Sequence, residues 1–177
     1  MKKYLSFTLL AAVAAVGLCV VANVRAAEES MDSKTESKLS ANDKTFLKKA
    51  YKGSLQEIEN AKVAKEKAQN EATKDIAERM ITDHTKAKDQ IYKMAEEENL
   101  DLAKVKVKAT DASGDDFDKK YLTMLKKDHE KDIAMYEKEA SDSGSKEDSD
   151  VKEFAKDTLP TLKEHLQMVE DALGKTK

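Results

Sequence analysis

The sequence predicts an all-α fold, an antiparallel four-helix bundle. The 177 residues include only five Gly and one Pro, too few turn-forming residues for a β-sandwich or a β-barrel. Ala, Lys, Glu and Leu are abundant and β-branched residues form no runs, which is typical of long helices. Four segments also repeat small or apolar residues in alternating steps of three and four, the pattern of helices that bury one stripe against each other.

The first 26 residues are predicted to be a secretion signal outside the fold. Two lysines at positions 2 and 3 precede a mostly apolar run over residues 4–21, and residues 24–26 read Val-Arg-Ala, with small residues where signal peptidase needs them. Cleavage before Ala27 would leave 151 residues and remove Cys19, the only cysteine. We therefore expect an exported, periplasmic protein that is stabilised without disulfides.

The charge pattern limits the partners of the mature chain. Loss of three of the 32 basic residues leaves 29 against 35 acidic residues, a net charge of −6. The two signs are interleaved and form no basic stripe for phosphates, so nucleic acid is not expected as a partner. No later segment approaches the roughly 20 apolar residues of a membrane span, so we expect a soluble chain. A protein partner and the oligomeric state are left open.

The four helices follow a short tether. Residues 27–41 have almost nothing to bury and are predicted to be disordered, and residues 42–177 form the bundle domain. The first helix is predicted over residues 42–68, because Ser40 and Asp43 have the spacing of a capping box. The second is predicted over residues 72–98, with Asn70 as its N-cap.

The third and fourth helices follow a longer connection. Residues 99–114 alternate apolar and charged side chains, which predicts an extended piece that crosses the end of the bundle. The third helix is predicted over residues 115–140 from the pair Ser113 and Asp116. The fourth is predicted over residues 149–173 from the pair Ser145 and Asp148. Its internal proline at position 160 is expected to kink it.

Four ionisable residues fall on the predicted buried stripes, one on each helix. They lie near the middle of the helices and are Glu57, His84, His129 and His165. Buried ionisable groups must be paired, neutral or bound to an ion. Three imidazoles and one carboxylate are ligands that zinc, iron and copper accept, so the four residues form a candidate metal site.

An acid precedes each histidine and is a candidate acceptor for the outer nitrogen of its ring. These acids are Asp83, Asp128 and Glu164. Carboxylate-bridged di-iron bundles instead carry Glu-x-x-His, which is absent here. Two alternatives to a metal site remain: neutral core histidines that fix the register of the helices, and histidines that sense pH.

Three motifs resemble an exported bacterial family of unknown function. They are Ile76-Ala-Glu-Arg-Met with Asp83-His-Thr-Lys, then Phe117-Asp with Asp128-His-Glu-Lys, and then Phe154-Ala with Thr158-Leu-Pro-Thr-Leu and His165. The resemblance spans about residues 42–173, with a connection over residues 99–114 that looks shorter than usual. Members have a ferritin-like four-helix fold and are often labelled outer membrane proteins. The resemblance therefore implies a ferritin-like fold and an envelope location, places the four ionisable residues at recurring motif positions, and implies no established activity.

The function that these observations favour is an exported helical-bundle protein that binds a transition metal through its inward His and Glu side chains. A structural or stress-related interaction module of the cell envelope, with no metal, is the alternative. A ferritin-like redox enzyme is a third, disfavoured by the missing Glu-x-x-His. No catalytic arrangement stands out, since the serines cluster in the tether and in residues 141–149.

Overall fold

Four α-helices make up the fold. The computed structural model describes residues 39–110, 114, 116–143 and 149–175, and this part of the chain contains no β-strand. The helices are α1 (Ala41–Lys67), α2 (Glu71–Glu97), α3 (Phe117–Ala140) and α4 (Asp150–Lys175). Each begins and ends within two residues of its predicted bounds, so the all-α four-helix prediction is confirmed. The expected signal, and the expected tether up to residue 38, lie outside the described residues.

The N-terminal caps of the first hairpin are those that the sequence predicts. The Ser40 hydroxyl accepts a hydrogen bond from the backbone of Asp43 at 3.0 Å, and the Asp43 carboxylate accepts one from the backbone of Ser40 at 2.8 Å. The Asn70 side chain accepts one from the backbone of Ala72 at 2.9 Å. These bonds satisfy amides that the first helical turn leaves free.

The caps of the second hairpin differ from the expectation. α3 begins two residues later than predicted, so Asp116 is its N-cap, with a left-handed φ of 62°, and not a residue of its first turn. Ser113, Ser145 and Asp148 lie outside the described residues. At the start of α4, the Ser149 hydroxyl accepts a hydrogen bond from the backbone of Lys152 at 3.2 Å.

The helices form two antiparallel hairpins, α1 with α2 and α3 with α4. α1 packs against α3, and α2 packs against α4. The carboxylate of Asp118, at the start of α3, accepts hydrogen bonds from the backbone of Gln69 and Asn70 just before α2, each at 3.0 Å. α3 therefore runs parallel to α2 and antiparallel to α1. A bundle with one long crossover is the ferritin-like arrangement.

The crossover between α2 and α3 runs along the side of the bundle. The Gln56 amide donates to the carbonyl of Lys108 at 2.6 Å, and the backbone of Thr110 donates to the Asn60 side chain at 2.7 Å. The expectation that this segment crosses the end of the bundle is wrong, because it must travel the length of α1 to reach the start of a parallel helix. The alternation of apolar and charged residues is nevertheless matched by an alternation of more buried and more exposed side chains, and Leu102 lies in the core.

The core consists of two apolar clusters. One contains Phe46, Leu47, Ile91, Tyr136, Phe154 and Leu162, and the other contains Ala64, Met80, Tyr121, Leu122, Leu125 and Val169. Glu57, His84, His129 and His165 lie between the clusters and are called the polar layer below. In the described part of the chain, no helix has both the length and the apolar character needed to cross a membrane.

Candidate metal centre

The polar layer brings together one side chain from each helix. Glu57 is 3% exposed, His84 4%, and His129 and His165 are fully buried. The three ring centroids are 5.2 to 5.6 Å apart. One nitrogen can be selected from each ring so that all three nitrogens lie within 4.8 Å of one another. The helical stripes position them, since each residue follows the three- and four-residue steps of its buried face.

Glu57 and His84 form a buried ion pair. Nε2 of His84 lies 2.6 Å from Oε2 of Glu57, although neither carboxylate oxygen makes an aligned hydrogen bond within the described residues. Burial raises the pKa of Glu57, but the facing imidazoles, His84 above all, outweigh it and lower the pKa overall. Burial lowers the pKa of His84, and the Glu57 carboxylate reverses that shift and raises it. The carboxylate thus keeps lone pairs that a cation can use.

His129 and His165 have their outer nitrogens fixed by acceptors. Nδ1 of His129 lies 3.0 Å from the backbone carbonyl of Leu125 and 3.5 Å from Oε1 of Glu57, and Nε2 of His165 lies 2.9 Å from Oδ2 of Asp83. A carbonyl and a carboxylate can only accept, so these two ring nitrogens carry the hydrogens. Burial raises the pKa of Asp83, but its hydrogen bonds with Arg79 and His165 lower it overall, so the carboxylate is charged.

The inner nitrogens of the same two rings face each other. Nε2 of His129 and Nδ1 of His165 are 3.1 Å apart. Burial lowers the pKa of both rings, and that of His165 falls to about 4, so both are neutral at pH 7. A neutral ring has one hydrogen, which each ring already donates outward. Two lone pairs therefore point toward each other, an arrangement that a cation between them would stabilise.

The donor set fits a transition-metal ion. With metal–nitrogen bonds of about 2 Å, nitrogens separated by 3.1 Å subtend about 100° at the metal, close to tetrahedral. Three imidazoles and a carboxylate suit zinc, iron or copper. A ring that donates its outer N–H to a carbonyl or a carboxylate is the usual arrangement of a ligating histidine. The contacts of His129 and His165 have this form.

The three acids that precede the histidines have different surroundings. Only Asp83 contacts a ring, that of His165. Asp128 pairs with Lys131 at 3.0 Å, and Glu164 pairs with Arg79 at 3.4 Å. Neither of these two bonds a histidine ring within the described residues. A residue next to a buried position is turned about 100° around the helix, so only a favourably placed neighbour helix brings it to a ring.

Asp132 is a further candidate residue of this site, which the sequence analysis did not single out. It lies three residues after His129, half-buried and beside Glu57 on a surface groove. Burial raises its pKa to about 7, the charge of Glu57 adds to this, and His84 opposes it. The available signal was its position, because Leu122, Leu125, His129 and Asp132 follow one stripe and two of them are ionisable.

Comparison with known proteins identifies one matching protein family. A family model described as a domain of unknown function (DUF4142) matches residues 28–172, which include nearly all of the four helices. No curated protein and no solved structure matches the chain.

Proposed function

The chain belongs to the DUF4142 family of domains of unknown function, and we propose that its bundle holds one first-row transition-metal ion in the polar layer. Glu57, His84, His129 and His165 are the proposed ligands. The observation that carries this proposal is the 3.1 Å approach of Nε2 of His129 to Nδ1 of His165, the ring nitrogens that carry no hydrogen when Leu125 and Asp83 accept from the other two. Both rings are locked in that orientation from outside by Leu125 and Asp83.

A cation is the natural occupant between these nitrogens. A shared proton would also remove the lone-pair repulsion, but burial and the neighbouring imidazoles disfavour a further positive charge on either ring. A divalent ion differs from a proton because it bonds several donors together. It would gain both the inner nitrogens and the Glu57 carboxylate, whose oxygens make no aligned hydrogen bond in the described residues.

The number of donors favours holding an ion over catalysis. Four protein ligands complete a tetrahedral shell, whereas catalytic zinc sites keep one position for water or substrate. The apolar clusters above and below the polar layer also exclude water from the bundle axis. We therefore propose that the protein carries or stores its ion, or uses it for stability, and does not act as an enzyme.

The proposed place of this function is the periplasm. Its support is the sequence of residues 1–26, with a cationic start, an apolar run and a small-residue cleavage site. Intact mass spectrometry of the periplasmic fraction would test it. A mature chain that starts at Ala27 is expected, and a full-length chain in the cytoplasm would contradict export.

Metal analysis tests the proposed binding. Untagged protein is purified from the periplasm without chelator, and its metal content is measured by mass spectrometry for the wild type, His129→Ala and Asp128→Asn. We expect about one zinc, iron or copper ion per chain in the wild type, loss in His129→Ala, and retention in Asp128→Asn, whose carboxylate contacts no ring. A metal-free wild type whose melting is unchanged by these ions would identify the histidines as core residues.

A further inference from the structure

Two surface grooves approach the polar layer from opposite sides. One, of about 500 Å³, lies between α2 and α4 and reaches Asp83. The other, of about 470 Å³, lies between α1 and α3 and is called the α1/α3 groove. Its lining residues are Lys49, Lys52, Gly53, Gln56, Glu57, Asp128, Lys131 and Asp132. Of the two, only the α1/α3 groove is lined by a residue of the polar layer.

We propose that the α1/α3 groove is the path by which a divalent metal ion enters the polar layer, with Asp132 passing the ion to Glu57. This inference rests on the proposed metal binding. The groove is the side opening of a site whose two ends are closed, since an ion moving along the bundle axis would have to cross one of the apolar clusters. Crossing an apolar core is costly for a charge.

Carboxylates mark the groove from its outside to its floor. Asp128 and Asp132 are one helical turn apart on α3 and share a face. The Asp128 side chain is 33% exposed, Asp132 is half-buried, and Glu57 is 3% exposed. Asp128 and Asp132 thus lie in the partly exposed part of the groove, and Glu57 lies at its buried floor. Lys49, Lys52 and Lys131 balance these charges over the groove as a whole, so the attraction for a cation is local to the neighbouring carboxylates of Asp132 and Glu57.

Gly53 keeps the passage open on the α1 side. A Cβ atom built at this position would lie 3.7 and 3.8 Å from the two carboxylate oxygens of Asp132. Alanine would therefore make ordinary contacts there, whereas a larger side chain would occupy the space in front of Asp132. Since Gly53 lies inside a helix, such a substitution does not disturb the backbone conformation.

The groove between α2 and α4 is a weaker candidate for the path. Its innermost carboxylate is Asp83, which already binds Arg79 and the outer nitrogen of His165. An ion at Asp83 would be separated from the inner nitrogens by the His165 ring itself. The two grooves can therefore be distinguished by variants that obstruct each one separately.

Stopped-flow measurement of Co²⁺ uptake by the mature protein tests the path, with the absorption of the bound ion as the signal. Gly53→Leu should slow association and release by the same factor and leave Kd unchanged, because an obstruction acts on both directions. Asp132→Asn should slow association by about tenfold. Gln90→Trp, which places a larger side chain in the other groove, should leave both rates unchanged.

The outcomes separate this inference from the proposed function. A wild type that takes up no Co²⁺ overturns metal binding itself. A wild type that binds Co²⁺, with unchanged rates in both Gly53→Leu and Asp132→Asn, overturns the path alone. Slowing in Gln90→Trp also overturns it, because the ion would then pass between α2 and α4. Gly53→Ala, which fits without a clash, should bind as the wild type does and controls for the change of backbone residue.

Discussion

Asp83 holds His165 in one orientation, with Oδ2 of the carboxylate 2.9 Å from Nε2 of the ring. Arg79 binds the same carboxylate and helps to keep it ionised, with a pKa below its usual value despite partial burial. The hydrogen of the ring is thereby fixed on Nε2. Nδ1 is left as the inward-facing donor atom, so a partly exposed Arg–Asp pair on α2 determines which nitrogen of His165 on α4 faces the polar layer.

Asp83→Asn should therefore weaken metal binding without removing a ligand. An amide lacks the charge that favours the Nε2 hydrogen, and loss of such an outer partner costs about 10- to 100-fold in affinity. Kd is measured by competition with a chelator of known affinity. Asp128→Asn is the matched control, since Asp128 also precedes a histidine but contacts no ring. Equal affinity for Asp83→Asn and the wild type would show that the contact does not position the ring.

His84→Ala should destabilise the metal-free protein by about 3 kcal/mol, because it leaves the Glu57 carboxylate buried without its counter-charge. Adding Glu57→Gln removes that charge. The loss of unfolding free energy in the double variant is therefore expected to be smaller than the sum of the two single losses by more than about 1 kcal/mol. Urea unfolding in the presence of chelator measures both. Simple additivity would contradict the ion pair.

Stability should fall as the pH rises through neutrality, in part because of Glu139 near the end of α3. Burial and a hydrogen bond with Asp43 raise the pKa of Glu139 to about 7; Asp142 adds to this and Lys138 opposes it. In the unfolded chain, glutamate titrates near about 4.3. Because the folded pKa is the higher one, the contribution to stability is complete below about pH 4.3 and is lost as the pH rises through about 7.

Glu139→Gln tests whether Glu139 causes part of this fall in stability with rising pH. Glutamine stays neutral and can still donate to Asp43, so the fall in melting temperature between about pH 6 and pH 8 should become smaller by a few degrees. Part of the fall should remain, because the pKa of Asp132 is also raised to about 7. Glu137→Gln, an exposed change on the same helix, is the control. Identical pH profiles for the wild type and Glu139→Gln would refute the assignment.

Ser40→Ala should cost about 1 kcal/mol, because the Ser40 hydroxyl caps an amide at the start of α1. Thr45→Ala provides the comparison. Its hydroxyl donates to the carbonyl of Ala41 within the same helix, so its loss should change stability by less than about 0.5 kcal/mol. Thermal or urea unfolding distinguishes the two. Equal effects would show that the cap adds nothing beyond a surface contact.

The sequence predicts the helices and their inward residues well because both follow from local periodicity. The bounds of α1 and α2 depend on the caps at Ser40 and Asn70, and the depth of the polar layer depends on how far each ionisable residue lies along its stripe. The outer hydrogen-bond partners of the histidine rings could not be predicted in this way. Leu125 contributes a backbone carbonyl, which no residue pattern marks, and Asp83 reaches His165 only because α2 packs against α4.

The path of the crossover could not be predicted for a related reason. An alternating segment shows which side chains face inward but not along which helix it runs. That choice depends on the direction of α3, which is fixed by the contact of Asp118 with the backbone of Gln69 and Asn70. The groove at Asp132 likewise arises from the juxtaposition of two helices and from the absence of a side chain at Gly53.

The division of the bundle into two hairpins has a kinetic consequence. Glu57 and His84 belong to the first hairpin, with Oε2 and Nε2 2.6 Å apart. His129 and His165 belong to the second, with Nε2 and Nδ1 3.1 Å apart. Each hairpin can form early from contacts that are local in the chain, and the two dock only after the long crossover has closed. The four donors therefore come within reach of one another in that last step, so an ion bound by all four stabilises the docked hairpins and slows their separation.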